Sequence, residues 1–315
     1  MLRRDAPSPN PELLSELFQR RMLIVTGKGG TGKTALAAAL ARQASRMGKR
    51  VIVCEVGRST PTASSLLGLL APGLEPANVP QVLAGTLSHV VLRGEDGVRE
   101  FLRKTLPFKF MADRTLKLDA VRKFIDAAPA FAEMGVLFRG MQFLEEQRRD
   151  GEPVYELMVL DAPASGHTLA FAALPETILK VFTMGPIATA ARAGIEFIRN
   201  PRTTTVVAAT LPESLPVSEA RELCTGLRLR GLDVGALIAN QVPNDPFTSE
   251  ERTALDALLP LEVLGRRGLV RIEKAADALA RLRDLGAPLL SIGVHATSGP
   301  SLLDAIERDL SGAAA

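Results

Sequence analysis

Aromatic side chains are scarce in this chain, with no Trp, one Tyr and 12 Phe among 315 residues. Base stacking on aromatic platforms is what binds single-stranded nucleic acid, so that class of function has few residues to carry it. Cysteine is scarcer still. Cys54 and Cys224 lie far apart and neither belongs to a C-x-x-C pair, which leaves no zinc or iron–sulfur ligand set and no disulfide framework, and fits a reducing cytoplasm. A one-sided charge is missing too: 38 Lys and Arg stand against 35 Asp and Glu, and the basic residues are scattered among acids instead of marking a DNA face. No apolar run reaches the roughly 18 residues of a membrane span. The N-terminus has Arg3 and Arg4, then Asp5 and a Pro-rich stretch where a secretory signal would have its apolar core. The expectation is a cytoplasmic protein that uses no nucleic acid and meets a membrane only indirectly.

What the chain does contain is Gly27-Lys28-Gly29-Gly30-Thr31-Gly32-Lys33-Thr34, which satisfies G-x-x-x-x-G-K-[ST]. Arg21 to Thr26 before it is an apolar run suited to a buried parallel strand, and Thr34 to Met47 after it is an Ala/Leu-rich helix. The motif therefore sits at a strand-to-helix turn. Its glycines let the backbone wrap a polyphosphate, so that N–H groups and the helix start through Ala35 face negative charge. Lys33 is expected to reach the β- and γ-phosphates, and the Thr34 hydroxyl to hold Mg²⁺. A nucleotide with Mg²⁺ is the predicted ligand, which the resemblance given below narrows to ATP or ADP.

Beyond the loop, strands are predicted at 50–56, 155–160, 203–210, 234–242 and 288–292, separated by helical segments. Such alternation predicts an α/β fold, a doubly wound and mostly parallel sheet covered on both faces. The stretch 66–150 has a mainly helical pattern and is expected as an insertion in an ATPase domain made of 1–65 and 151–315. Helices are expected there at 97–106, 115–127 and 131–149, with one strand at 89–92. Its Phe and Met residues fit a subdomain core better than the wall of a client groove. Asp161 closes an apolar strand at the end where open parallel sheets place their ligand crevice. The following Ala162-Pro163-Ala164-Ser165-Gly166-His167-Thr168 is rich in small residues and is expected to be a mobile loop that senses the γ-phosphate.

Three stretches together resemble the arsenical-pump or anion-transporting ATPase family, which includes the ATPase that delivers tail-anchored membrane proteins. They are GKGGTGKT, Asp161 to Leu169 (DAPASGHTL) and Asn240-Gln241. The resemblance implies a deviant Walker A loop in which Lys28 acts across the interface of a nucleotide-dependent dimer. It also implies that Asp161 supports Mg²⁺ through water, that Asn240 recognises adenine, and that switch loops containing Gly57, Pro163, Gly166 and His167 move with hydrolysis. Partners would be a second copy or a related ATPase, together with a hydrophobic protein client. One departure bears on catalysis. Gly57 stands where the family's switch I loop carries a water-positioning Asp, and Glu55 is expected to leave the strand in the other phase, a poor replacement. A hydrolysis-deficient regulatory subunit in a heterodimer is therefore the alternative to an active ATPase. The family's arsenic-binding cysteines and zinc-binding C-x-x-C are absent from the sequence, so neither zinc nor an iron–sulfur cluster is expected.

Overall fold

The computed structural model describes residues 11–57, 65–105, 129–163, 165–181, 183–256 and 265–312. Among them, strands β1 (Met22–Gly27), β2 (Val51–Val56), β3 (Gln81–Ala84), β4 (Leu87–Leu92), β5 (Leu157–Asp161), β6 (Thr204–Thr210), β7 (Val234–Val242) and β8 (Leu289–Gly293) form one sheet. Their order is β3-β4-β2-β5-β1-β6-β7-β8. Every neighbouring pair is parallel except the edge hairpin β3–β4. The central strands are buried on both sides, which is why they read as continuous apolar runs with no alternation.

Alternate strand residues feed two cores. Leu23, Val25, Val53, Val159 and Ile238 face a layer made of α1 (Pro11–Leu17), α2 (Lys33–Arg46), α3 (Ser65–Leu70) and the last helix, Pro300–Ser311. Ala37, Ala38, Ala41 and Ala44 let α2 lie close against the sheet, while Leu36 and Leu40 fill it; all six are fully buried. Truncating either leucine would cost about 2–5 kcal/mol. Met22, Ile24, Ile52, Cys54, Met158 and Leu160 face the opposite layer. That layer holds the helices α4 (Gly94–Thr105), α5 (Pro129–Glu145), α6 (Ser165–Val181), α7 (Pro186–Arg199) and α8 (Ser214–Leu229). The helices α9 (Ser249–Asp256) and α10 (Arg266–Arg283) follow β7, which makes Pro300–Ser311 α11. Arg42 on α2 clamps α11, its Nε 2.5 Å from Glu307 Oε1 and its guanidinium 2.6 Å from Asp304.

Two local expectations are revised. The stretch 66–150, expected as mainly helical with a single strand, contributes both β3 and β4 to the central sheet, because Val90 and Leu92 complete the core beside β2. The loop expected after Asp161 is shorter: Ser165 already begins α6. Tertiary contacts override the weak helix preference of its small residues. The helices expected at 97–106 and 131–149 appear as α4 and α5, and the one at 115–127 lies outside the described residues. Phe101, Met134 and Phe143 are buried, and Phe101 meets Phe138 edge-on at 5.0 Å, so these residues are core. Helices α4 and α5 cross backbone to backbone, since a Cβ on Gly97 would lie 1.9 Å from the Gly135 carbonyl oxygen.

Candidate nucleotide-binding site

The loop from Gly27 to Thr34 leaves the C-terminal end of β1, the strand flanked by β5 on one side and β6 on the other. Gly32, at φ 84°, turns the chain into α2, and a Cβ there would lie 2.2 Å from Asn240 Nδ2. Glycine is thus required twice over, by backbone sign and by space. Asn240, 7% exposed at the end of β7, donates from Nδ2 to the Thr31 carbonyl at 2.9 Å. Its Oδ1 accepts the Gln241 N–H, also at 2.9 Å. The Asn240 amide therefore braces the loop across the sheet. Lys33 Nζ and Thr31 Oγ1 both donate to the Lys28 carbonyl, each at 2.9 Å, which curls the loop back over the helix start.

Thr34 Oγ1 donates to Asp161 Oδ2 at 2.7 Å, joining the first turn of α2 to the end of β5. Burial pushes the Asp161 carboxyl up to about 6, against the pull of the Thr34 bond and Lys33, and Glu55 raises it further. Burial likewise lowers the Lys33 ammonium, partly offset by Asp161. A hydroxyl and a carboxylate converging in this way are the hard oxygen donors that Mg²⁺ takes, so these residues fit the metal. Lys28 is about half exposed and pairs with Glu219 of α8 at 3.1 Å. An exposed pair of this kind is worth roughly 0.2–1 kcal/mol, a weak hold on a lysine at the surface.

The switch positions divide. Gly57 continues the ladder, its N–H donating to the Leu92 carbonyl at 3.0 Å, and residues 58–64 after it lie outside the described residues. Pro163 is exposed; its carbonyl accepts from Thr168 Oγ1 at 2.9 Å. Gly166 and His167 fall in the first turn of α6, and the side chain of His167 lies outside what is described. Thr168, which sequence reasoning did not single out, is buried and bonds Thr26 Oγ1 at 2.7 Å, tying the segment after Asp161 to β1. Glu55 also departs from expectation. Strand residues two apart share a face, and Glu55 is in direct register with Asp161. That alternation was the signal available in the sequence.

Beside Asn240 opens a cleft of about 410 Å³, lined by Pro212, Gln241, Pro243 and, from α10, Arg267, Arg271 and Lys274. The three cations recur at helical spacing, so one face of α10 is basic where it borders the loop's end of the sheet. Among the described residues no helix is long and apolar enough to cross a membrane.

Comparison with known proteins shows the family. The family model described as anion-transporting ATPase matches residues 20–190, more than half of the chain. The chain is similar to "ATPase BagA" of Mycobacterium tuberculosis, 26% identical over 227 residues, which cover 72% of this chain and 66% of that protein. It is also similar to a putative arsenical pump-driving ATPase of Halobacterium salinarum, at 25% identity with 76% of this chain and 38% of that protein covered. "ATPase GET3B" of Arabidopsis thaliana is 23% identical, with 71% of this chain and 64% of that protein covered. The matched stretch thus spans just under two thirds, or less, of these relatives' lengths.

Proposed function

Because the chain belongs to the anion-transporting ATPase family, we propose that it binds ATP at the Gly27–Thr34 loop and hydrolyses it to ADP and phosphate. The observation that carries this reading is the Thr34–Asp161 bond of 2.7 Å, set between the phosphate loop and the sheet end that would face the γ-phosphate. The loop's N–H groups and the start of α2 would receive the phosphates. Lys33 would turn from the Lys28 carbonyl to the β- and γ-oxygens. Thr34 would bind Mg²⁺ directly and Asp161 would hold it through water, the metal neutralising charge that builds on the phosphates. Among the described residues one amide hydrogen and one lone pair of Asn240 stay uncommitted, and with the neighbouring cleft it would seat adenine.

The protein would act as a nucleotide-driven switch in the cytoplasm, closing as a dimer with a second copy or a related ATPase. Lys28 would release Glu219 to reach the partner's phosphates, and the Thr26–Thr168 bond would carry the state of the site into α6. A protein client or partner would read that state. The test is phosphate release from purified protein with Mg-ATP against a Lys33→Ala control. Turnover in the parent and a loss of at least tenfold in the variant is the expected result; equal release from both would overturn the reading. Gly57 favours a second reading, a nucleotide-binding subunit that regulates a catalytic relative, and ATP binding without phosphate release would select it.

A further inference from the structure

Hydrolysis of a phosphoanhydride needs a group that orients the attacking water, besides the cations that absorb phosphate charge. Gly57 supplies no such group, and the packing leaves no room for one: a Cβ there would lie 2.2 Å from Cγ1 of Val91, itself 2% exposed. Two positions back, Glu55 shares the face of the sheet on which Asp161 and the start of α2 stand, in register with Asp161 across the β2–β5 ladder. Its side chain is 16% exposed, so it is open to water yet anchored.

The anchor is His89. This side chain is fully buried on β4, and its Nε2 lies 3.4 Å from Glu55 Oε1. Among the described residues, neither ring nitrogen has a hydrogen-bonded partner. Buried polar atoms without partners are rare in folded proteins and call for an explanation. The nearby carboxylate supplies one: from His89, two residues short of the position opposite Glu55, the imidazole lies diagonally along the strands from the glutamate, close enough for a small shift of either side chain to bond the two. We propose that Glu55 is the carboxylate that orients the attacking water, with His89 as its positioning residue.

This inference rests on the ATPase reading above. Water oxygen forms the new bond to the γ-phosphorus, the bond from that phosphorus to the bridging oxygen breaks with its electron pair leaving on ADP, and the water's proton passes to the Glu55 carboxylate and on to solvent. Acid–base assistance of this kind contributes roughly 10²–10⁴-fold to rate.

The experiment measures Mg-ATP affinity by calorimetry and steady-state phosphate release for the parent, Glu55→Gln, Glu55→Asp and His89→Asn. Glu55→Gln keeps the side-chain volume, so its fold is expected to hold, and circular dichroism checks it. The expected result is a kcat at least 100-fold lower in Glu55→Gln with the affinity within threefold of the parent. Glu55→Asp should retain part of the rate, and His89→Asn should lower kcat more than it raises KM. Unchanged kcat in Glu55→Gln overturns the proposal. So does a matching loss of affinity and rate, which would make Glu55 a binding or structural group. A parent that binds Mg-ATP but releases no phosphate overturns it and leaves nucleotide binding intact, whereas a parent that binds no Mg-ATP overturns the ATPase reading itself.

Discussion

Replacing Asp161 by Asn removes a charge from the end of β5 and leaves the shape almost unchanged. In the folded protein burial raises this carboxyl from 3.8 to about 6, with Thr34 and Lys33 opposing the rise and Glu55 adding to it. The unfolded chain therefore gives up the proton first as pH rises. Between the two values the folded state binds more protons, so folding stability falls with rising pH across that window. The contribution is fully present below about 3.8 and is lost once pH passes about 6. A difference of this size corresponds to about 3 kcal/mol, at roughly 1.4 kcal/mol per pH unit. Asn is neutral throughout and its Oδ1 can still accept from Thr34. In nucleotide-free buffer with EDTA, Asp161→Asn should be more stable than the parent by about 2–3 kcal/mol at pH 7.5, and by only about 1 kcal/mol at pH 4.5. Urea unfolding followed by circular dichroism at both pH values gives the two differences. Equal stability at pH 7.5, or a difference that does not shrink at pH 4.5, would refute the claim that this site holds its charge at a cost. Such a cost is what a divalent cation would remove on binding, so Mg-ATP should stabilise the parent more than the variant.

Gly57→Asp should not create an efficient ATPase: its Cβ meets Val91, so the variant should lose about 1–3 kcal/mol by overpacking. Adding Val91→Ala should recover part of that loss in thermal unfolding, and full stability of the single variant would contradict the packing. Asn240→Ala leaves the Thr31 carbonyl without its donor and opens space beside Gly32. It should cost about 1–3 kcal/mol of stability and weaken ATP binding several-fold, both measurable by calorimetry with and without nucleotide.

The strand-to-helix turn around GKGGTGKT was legible because phosphate binding demands glycine at fixed places and Lys-Thr at the helix start, a local requirement. The parallel sheet followed from apolar runs of strand length, since strands covered on both faces lose their alternation. Asp161 was legible as an acid ending such a run. The hairpin β3–β4 was not fully legible, because Gln81–Ala84 is four residues long and only its pairing with β4 makes it a strand. The early start of α6 was hidden for a similar reason: Ser165 and Gly166 are poor helix formers, and the Thr26–Thr168 bond that anchors the segment joins residues 142 apart.

The sequence by itself determined the phosphate loop, the sheet that presents it and the family to which the chain belongs. Those rest on residue types at short spacings, where chemistry and backbone geometry act within one turn or one strand. The tertiary structure alone decided that Asn240 braces the loop, that Lys28 pairs with Glu219, that Val91 closes the space at Gly57 and that His89 faces Glu55. Each of these joins residues far apart in the chain. Strand register and helix packing bring them together, and neither quantity is written in any one stretch of sequence.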